Sequence, residues 1–209
     1  TVKFVTSRRS LKLDRGSLSF LSADQLQELG LRTGRGVRVS SDARIFGGER
    51  ITIADNVRVD AFCVLSAGTS GAIQIGSHIH IASGARLFGE GGIVMEDFSS
   101  VSAGSTLYSA SDDYSGDWLM GPTVSEGFTL VDARPISLQA FAAVGAHSLV
   151  LPGVCLGSGC VLGASSMAAS DLDPWTIYAG TPCRPLKARS RNLVALAEEF
   201  DLDWRSKLE

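Results

Sequence analysis

Aliphatic side chains return at every sixth position over most of this chain. The clearest run consists of Leu138, Val144, Val150, Leu156 and Leu162. A second column, four residues after the first, holds mostly small side chains such as Ala43, Cys63, Ala85, Ser105, Ala142 and Cys160. Because side chains of an extended chain alternate between two sides, positions i and i+4 share one side. Each six-residue unit therefore points one large and one small side chain inward, which predicts an all-β solenoid of stacked coils.

Interruptions of this period divide the chain. The period runs from about residue 37 to 108, fails in residues 109–134, and resumes up to about residue 168. We therefore predict an N-terminal arm with a short helix in residues 1–36, a β-helix domain in residues 37–172, and a C-terminal cap with a helix in residues 173–209.

Both predicted helices have sequence signals of their own. Ser22 and Gln25 have the spacing of a capping box, and Gly30 provides a stop for the first helix. The second helix is indicated by apolar residues at the spacing of one helix face, namely Leu193, Leu196, Ala197 and Phe200.

The interruption at residues 109–134 is too long for a corner of the solenoid. Irregular segments of more than about 12–15 residues in a compact domain are usually functional or disordered. This one contains Tyr114, Trp118, Met120 and Phe128, which makes it too apolar for a disordered segment. We predict an ordered loop, extruded from a corner and used for binding or subunit contact.

Composition and charge narrow the possible partners. The formal net charge of -3 and the pI near 5.6 give no reason to expect nucleic acid as a partner. No apolar run approaches the length of a membrane span. The four cysteines lack the spacing of a metal site, and Cys63 and Cys160 fall in the small inward column. We interpret these two as core thiols, which fits the reducing cytoplasm.

Four segments of the chain resemble a known family. They read NVRVDAFCVLSAG (56–68), IGSHIHIASGA (75–85), LYSASDDYSGDWLMGPTV (107–124) and YAGTPCRPLKAR (178–189). The chain resembles the hexapeptide-repeat acyltransferases, and within them the enzymes that acylate a nucleotide-linked 4-amino-4,6-dideoxyhexose, such as GDP-perosamine N-acetyltransferase.

The resemblance implies a fold, a reaction and an assembly. The fold would be a left-handed parallel β-helix, although spacing alone does not give handedness. The reaction would transfer an acetyl group from acetyl-CoA to the amino group of a nucleotide-sugar acceptor, for O-antigen or other surface polysaccharide synthesis. The enzyme would be a cytoplasmic homotrimer that needs no metal.

The three histidines are candidates for the base that such a reaction uses. His78 and His147 occupy the fourth position of the six-residue unit and His80 the sixth, so all three are expected to point outward. The resemblance favours His80 as the catalytic base, because the family carries a histidine there. Asp60 lies one coil earlier and could orient His80 or contact the acceptor. For His78 and His147 we expect solvated positions or contacts between subunits.

The extruded loop departs from the related sugar O-acetyltransferases. Their loop motif resembles YTATHP, and its catalytic histidine aligns with Asp112 in YSASDD. Either His80 or an aspartate then takes the proton, or the acceptor amine needs little help, which favours an amine over a hydroxyl acceptor. Asp112, Asp113 and Tyr114 could bind the acceptor sugar or could form a polar turn.

The resemblance also implies where coenzyme A binds. Backbone N–H groups near Ala143 and Gly145 would stabilise the oxyanion and line the pantetheine arm. In the tail, Gly180, Arg184 and Lys187 resemble the family element that meets the coenzyme A phosphates. The tail has Cys183 and Arg184 where that element has alanine and lysine, a change that keeps a cation.

Three alternatives remain open at this point. The chain could be an O-acetyltransferase that acts on a sugar hydroxyl. It could be a structural solenoid without enzymatic activity. It could also bind zinc between subunits, although His147 lies several coils away from His78 and His80.

Overall fold

The computed structural model describes residues 19–206. Residues 1–18 of the predicted N-terminal arm lie outside the described residues. Residues 207–209, at the end of the predicted C-terminal cap, also lie outside them, and side chains are described as far as residue 200. The described part of the chain is a left-handed β-solenoid of about 7 turns. This confirms the predicted fold class. Its sheets begin at Arg32–Thr33, a few residues before the predicted start of the β-helix domain at residue 37.

Each turn contributes one strand to each of three faces. The first face contains Arg32–Thr33, Ile51–Ile53, Ile73–Ile75, Ile93–Met95, Ile136–Leu138 and Cys155–Leu156. The second face contains Arg38–Val39, Arg58–Val59, His80–Ile81, Ser100–Val101, Ala143–Val144, Val161–Leu162, Thr176–Gly180 and Cys183–Ala188. The third face contains Arg44–Phe46, Val64–Ser66, Arg86–Phe88, Thr106–Tyr108, Leu149–Val150 and Met167–Ala168. Neighbouring strands are parallel, except that the last two strands of the second face form an antiparallel pair.

The core consists of the two predicted columns of inward side chains. The large column from Leu138 to Leu162 is fully buried, and so are small members such as Cys63 and Ala85. Ile45 is an exception because it is only half-buried. It lies on the edge strand of the third face, where no earlier strand covers it. The period of six therefore predicts burial wherever a neighbouring coil is present on both sides.

A column of side chains follows the corner between the first and second faces. Asn56, His78, Phe98 and Phe141 all have left-handed backbone, with φ between 55° and 65°. The His78 and Phe98 rings stack at 4.8 Å and the Phe98 and Phe141 rings at 5.3 Å. The C-terminal helix, Leu193–Ser206, packs against this corner column, and Phe200 contacts His78 edge-on at 5.1 Å. The helix thus lies beside the second face.

Two further elements agree with the sequence. The N-terminal helix, Ala23–Glu28, has the predicted capping box, in which the Ser22 and Gln25 side chains each accept from the other residue's N–H. The extruded loop is ordered, since Ala110–Asp112 pairs antiparallel with Val131–Ala133. We call this element the hairpin. Short 3-10 helices complete the structure at Gly48–Arg50 and Glu126–Phe128.

Candidate active site

The second face collects most of the predicted site residues. Its strands hold Arg38, Arg58, His80, Ser100 and Ala143 as successive Cα partners in one outward column. On the same strands, or directly after them, lie the predicted residues Asp60, Gly145, Gly180, Arg184 and Lys187. A candidate catalytic histidine and the candidate coenzyme A residues therefore share one surface.

His80 and Asp60 form a hydrogen-bonded pair. His80 Nε2 lies 2.7 Å from Asp60 Oδ2, and Arg58 donates from Nε to Asp60 Oδ1 at 2.6 Å. The Asp60 side chain is only 14% exposed, whereas that of His80 is 53% exposed. With Nε2–H held by the carboxylate, Nδ1 is the ring nitrogen that can accept a proton. Nδ1 makes no hydrogen bond with the described residues 19–200.

The surroundings of Asp60 favour its ionised form. Burial raises the pKa of this carboxyl, but hydrogen bonds from His80 and Arg58 outweigh burial and lower the pKa below its ordinary value. Asp60 is therefore an anion near neutral pH. An anionic partner fixes the orientation of the imidazole and stabilises the imidazolium that forms when His80 accepts a proton.

The other two histidines occupy corners, so the prediction that all three point outward is confirmed. His78 belongs to the corner column, where its Nδ1 lies 2.9 Å from Asn56 Nδ2 and its ring is stacked on Phe98. His147 is exposed at a different corner. These contacts lie within one chain and assign a packing role to His78, so the expected solvated or intersubunit position is wrong for His78.

A groove runs between the second face and the C-terminal helix. It has a volume of about 600 Å³. Arg38, Arg58 and His80 line one side, and Leu196 and Phe200 line the other. Residue spacing did not predict this groove, because the groove depends on where the helix packs. The available signal was a basic residue at the same outward position of two successive coils, Arg38 and Arg58.

The predicted hairpin residues lie away from His80 within one chain. Asp112 and Tyr114 line a second groove, of about 640 Å³, together with Leu149 and Met167 of the third face. Asp113 instead stabilises a turn, since its carboxylate accepts from the Ser115 N–H at 3.1 Å and from the Ser115 hydroxyl. The structure thus brings Asp112 and Tyr114 together but places them on a different face from the His80–Asp60 pair.

The coenzyme A residues need one correction. The Ala143 N–H is bound to the Cys160 carbonyl at 3.0 Å, and the Gly145 N–H to the Leu162 carbonyl at 2.7 Å. These amides cannot donate to an oxyanion without breaking sheet hydrogen bonds, so that part of the prediction is wrong. A Cβ on Gly145 would lie 2.5 Å from the nitrogen of Ala164, so packing of the next coil already requires a glycine here. Placement of the pantetheine arm along this stretch stays a prediction.

The tail presents exposed cations at the other end of the second face. Arg184 and Lys187 lie on its last strand, Cys183–Ala188, and both are exposed. Neither has a carboxylate partner among the side chains of residues 19–200. Gly180 lies opposite Cys183 where the two last strands are joined. This arrangement leaves two positive charges available to phosphate groups.

Comparison with curated proteins identifies the family. The dTDP-4-amino-4,6-dideoxy-D-glucose acyltransferase of Escherichia coli is 34% identical over 184 residues, covering 88% of this chain and 95% of that protein. The chain belongs to this acyltransferase family. It is therefore an enzyme of acyl transfer, as the sequence resemblance predicted. A comparison with protein-family models gave no match.

Solved structures agree with membership of this acyltransferase family. AntD, an N-acyltransferase from Bacillus cereus in complex with dTDP and 3-hydroxybutyryl-CoA, is 40% identical, with a TM-score of 0.85 over 90% of this chain and 100% of that chain. A variant of AntD with dTDP-4-amino-4,6-dideoxyglucose and coenzyme A matches equally well. A maltose O-acetyltransferase from Clostridium difficile 630 shares the fold at 18% identity, with a TM-score of 0.52 and coverage of 80% of this chain and 74% of that one.

Other features of this acyltransferase concern metals, thiols and membranes. Within residues 19–206 no cluster of three or more His, Cys, Asp or Glu side chains could hold a metal ion. Cys63 and Cys160 are buried free thiols, and burial raises the pKa of Cys160 to about 12. Neither helix in the described part of the chain has the length and apolar character needed to cross a bilayer.

Proposed function

We propose that this enzyme transfers an acyl group from a coenzyme A thioester to the amino group of a nucleotide-linked 4-amino-4,6-dideoxyhexose. The observation that carries the proposal is the His80–Asp60 pair, which presents a ring nitrogen to solvent on the second face. The AntD complexes with a dTDP-linked amino sugar and with an acyl-CoA support the same pair of substrates.

The reaction needs one proton acceptor and one leaving thiolate. The acceptor's ammonium gives a proton to His80 Nδ1, and its free lone pair attacks the thioester carbonyl carbon. Asp60 stabilises the imidazolium through Nε2–H. When the tetrahedral intermediate collapses, the C–S bond breaks and the amide forms, and the second proton that the nitrogen must lose passes to the coenzyme A thiolate. No side chain of the enzyme needs to form a covalent bond.

Finer features of the reaction follow the same proposal. We infer acetyl-CoA as the donor, while the AntD complex makes 3-hydroxybutyryl-CoA the other donor to assay. The product would serve O-antigen or other surface polysaccharide synthesis. The free thiols of Cys63 and Cys160 suit a reducing compartment, and we place the reaction in the cytoplasm.

A homotrimer would complete the site. His80 and Asp60 lie on the second face, whereas Asp112 and Tyr114 lie on the hairpin beside the third face. Residues on different faces of one prism meet when the second face of one copy packs against the hairpin of the next. We therefore propose that each active site uses two neighbouring copies, with Asp112 and Tyr114 contacting the sugar.

The test is a thiol-release assay with two matched acceptors. Acetyl-CoA or 3-hydroxybutyryl-CoA is supplied with dTDP-4-amino-4,6-dideoxyglucose, or with the same nucleotide sugar carrying a hydroxyl at C4. The proposal predicts thiol release with the amine and a mass increase of one acyl group on that sugar. Turnover with the hydroxyl acceptor alone would instead establish an O-acyltransferase.

A further inference from the structure

Two arginines mark the N-terminal end of the second face. Arg38 and Arg58 are Cα partners on successive coils, and His80 follows on the next coil. Arg58 is bound to Asp60, whereas Arg38 packs over the Phe20 ring at 5.9 Å. Among the described side chains, which extend from residue 19 to 200, Arg38 has no carboxylate partner. Its positive charge is therefore available to an anion.

The groove beside these arginines has a wall of apolar and aromatic side chains. Phe98, Phe141, Leu196 and Phe200 line it, and Phe200 is 42% exposed. An exposed aromatic side chain in an apolar groove suits a flat ring. Arginine suits phosphate oxygens, because its planar fork donates two parallel hydrogen bonds. An aromatic wall beside a free guanidinium is the chemistry that recognises a nucleoside phosphate.

The order of residues along the face separates the two substrates. Adjacent strands are about 4.8 Å apart, so His80 lies about 5 Å from the coil of Arg58. The strand of Lys187 is five strands away from His80 in the other direction, at about 24 Å. A pantetheine arm, about as long as four extended residues or about 14 Å, places the donor's phosphates far from its thioester. The diphosphate of a nucleotide sugar is separated from the amine by only one sugar ring. The cations close to His80 therefore suit the diphosphate of the acceptor, and the cations on the distant coil of Lys187 suit the phosphates of coenzyme A.

We propose that the groove between the second face and the C-terminal helix binds the nucleoside diphosphate part of the acceptor. Arg38 and Arg58 contact the diphosphate, and the base lies against Leu196, Phe98 and Phe200. This inference rests on the proposed function and adds to it the site that recognises the nucleotide carrier. The sugar then extends from Arg58 towards His80, which brings its amine to the proton acceptor.

Arg38→Met is the decisive variant, because Arg58 also holds Asp60 and its removal would disturb the catalytic pair. Arg44→Met is the matched control. Arg44 lies on the same coil but on the third face, where it is exposed and has no ion pair with the described side chains of residues 19–200. Calorimetry with dTDP alone measures the affinity. We expect Arg38→Met to weaken dTDP binding by about 10- to 100-fold, the usual effect of losing a hydrogen bond between charged groups. Arg44→Met should change it less than twofold.

Steady-state kinetics and two further variants complete the test. The KM for the nucleotide sugar should rise in Arg38→Met while the KM for acetyl-CoA stays unchanged. Arg38→Lys keeps the positive charge but loses the planar fork of the guanidinium, so it should lose less affinity for dTDP than Arg38→Met does. It also provides the test if Arg38→Met does not fold. Leu196→Asp should weaken binding of dTDP more than binding of inorganic pyrophosphate, because only dTDP carries a base.

The outcomes separate this inference from the proposed function. The groove is not the acceptor site if Arg38→Met leaves the affinity for dTDP unchanged, or if it raises the KM for acetyl-CoA and not the KM for the acceptor. Neither result contradicts turnover of the amino sugar. Conversely, the wild-type enzyme could bind dTDP through Arg38 but never acylate the amino sugar. The groove would then remain the nucleotide site, and the proposed function would be wrong.

Discussion

The Asp60 carboxylate determines how His80 can act. Asp60 holds Nε2–H, so Nδ1 is the ring nitrogen that remains to accept a proton. Arg58 donates to the other oxygen of the same carboxylate and fixes its orientation. Because the pKa of Asp60 is lowered, its stabilising contribution is present above the ordinary aspartate pKa of about 3.9 and is lost as the pH falls through the lowered value. The pair is therefore intact at neutral pH.

Removal of the imidazole tests this role. We expect His80→Ala to lower kcat by about 10²–10⁴, the range for a lost general base. Asp60→Asn should lower kcat by less, because the ring remains but loses its anionic partner. His147→Ala is the control, since His147 is an exposed corner residue remote from the pair in sequence and should leave kcat unchanged. Unchanged turnover in His80→Ala would mean that Asp112 accepts the proton or that the amine reacts without a catalytic base.

The sequence predicted the positions of these residues better than their contacts. Outward orientation of His80 follows from alternation along a strand, and proximity of Asp60 follows from the coil length of about 20 residues. The Arg58–Asp60 hydrogen bond depends on side-chain rotamers, which spacing does not reveal. For Ala143 and Gly145 the resemblance suggested oxyanion donors, whereas the parallel ladder between coils occupies both amides.

At the scale of elements, the corners determine how the coils stack. The corner column continues past Phe141 to Gly159 and Trp175, both with left-handed backbone. A Cβ on Gly159 would lie 2.5 Å from the Trp175 ring. The tryptophan thus packs directly over the glycine, and Arg189 adds a hydrogen bond to the Gly159 carbonyl at 3.1 Å. This packing attaches the C-terminal segment to the solenoid.

Gly159→Ala should be costly for two separate reasons. Left-handed backbone costs a residue with a Cβ about 1–2 kcal/mol, and overpacking against Trp175 adds about 1–3 kcal/mol. Gly84→Ala is the matched control, because Gly84 has φ of 71° but its Cβ would meet nothing closer than 3.9 Å. Urea unfolding should show a larger loss in the free energy of unfolding for Gly159→Ala. Equal losses in the two variants would contradict the close Trp175 contact.

Strands and helices could be predicted from periodicity, but the corner column could not. Each six-residue unit fixes which side chains are inward, so the core followed directly. Left-handed backbone at Phe98 and Phe141 has no sequence signal, because bulky residues rarely adopt it. The hairpin was expected only as an ordered loop, since its paired segments, Ala110–Asp112 and Val131–Ala133, are too short to show alternation.

At the scale of the whole molecule, one prism does not bring all candidate residues together. Three faces point in three directions, and the hairpin lies between the third and first faces while His80 lies on the second. The left hand of the solenoid came from the family resemblance, because residue spacing is the same for either hand. The proposed shared site would accordingly be a property of an assembly with rotational symmetry.

Complementation between two inactive variants tests this account most directly. His80→Ala and Asp112→Ala chains, carrying different tags, are co-expressed and the mixed trimers are isolated and confirmed by sedimentation. In every mixed trimer, whichever variant is present twice, one site in about three pairs an intact second face with an intact hairpin. The account predicts recovery of about that fraction of wild-type thiol release with the amino-sugar acceptor. Mixed trimers no more active than the separate variants would contradict a site shared between copies.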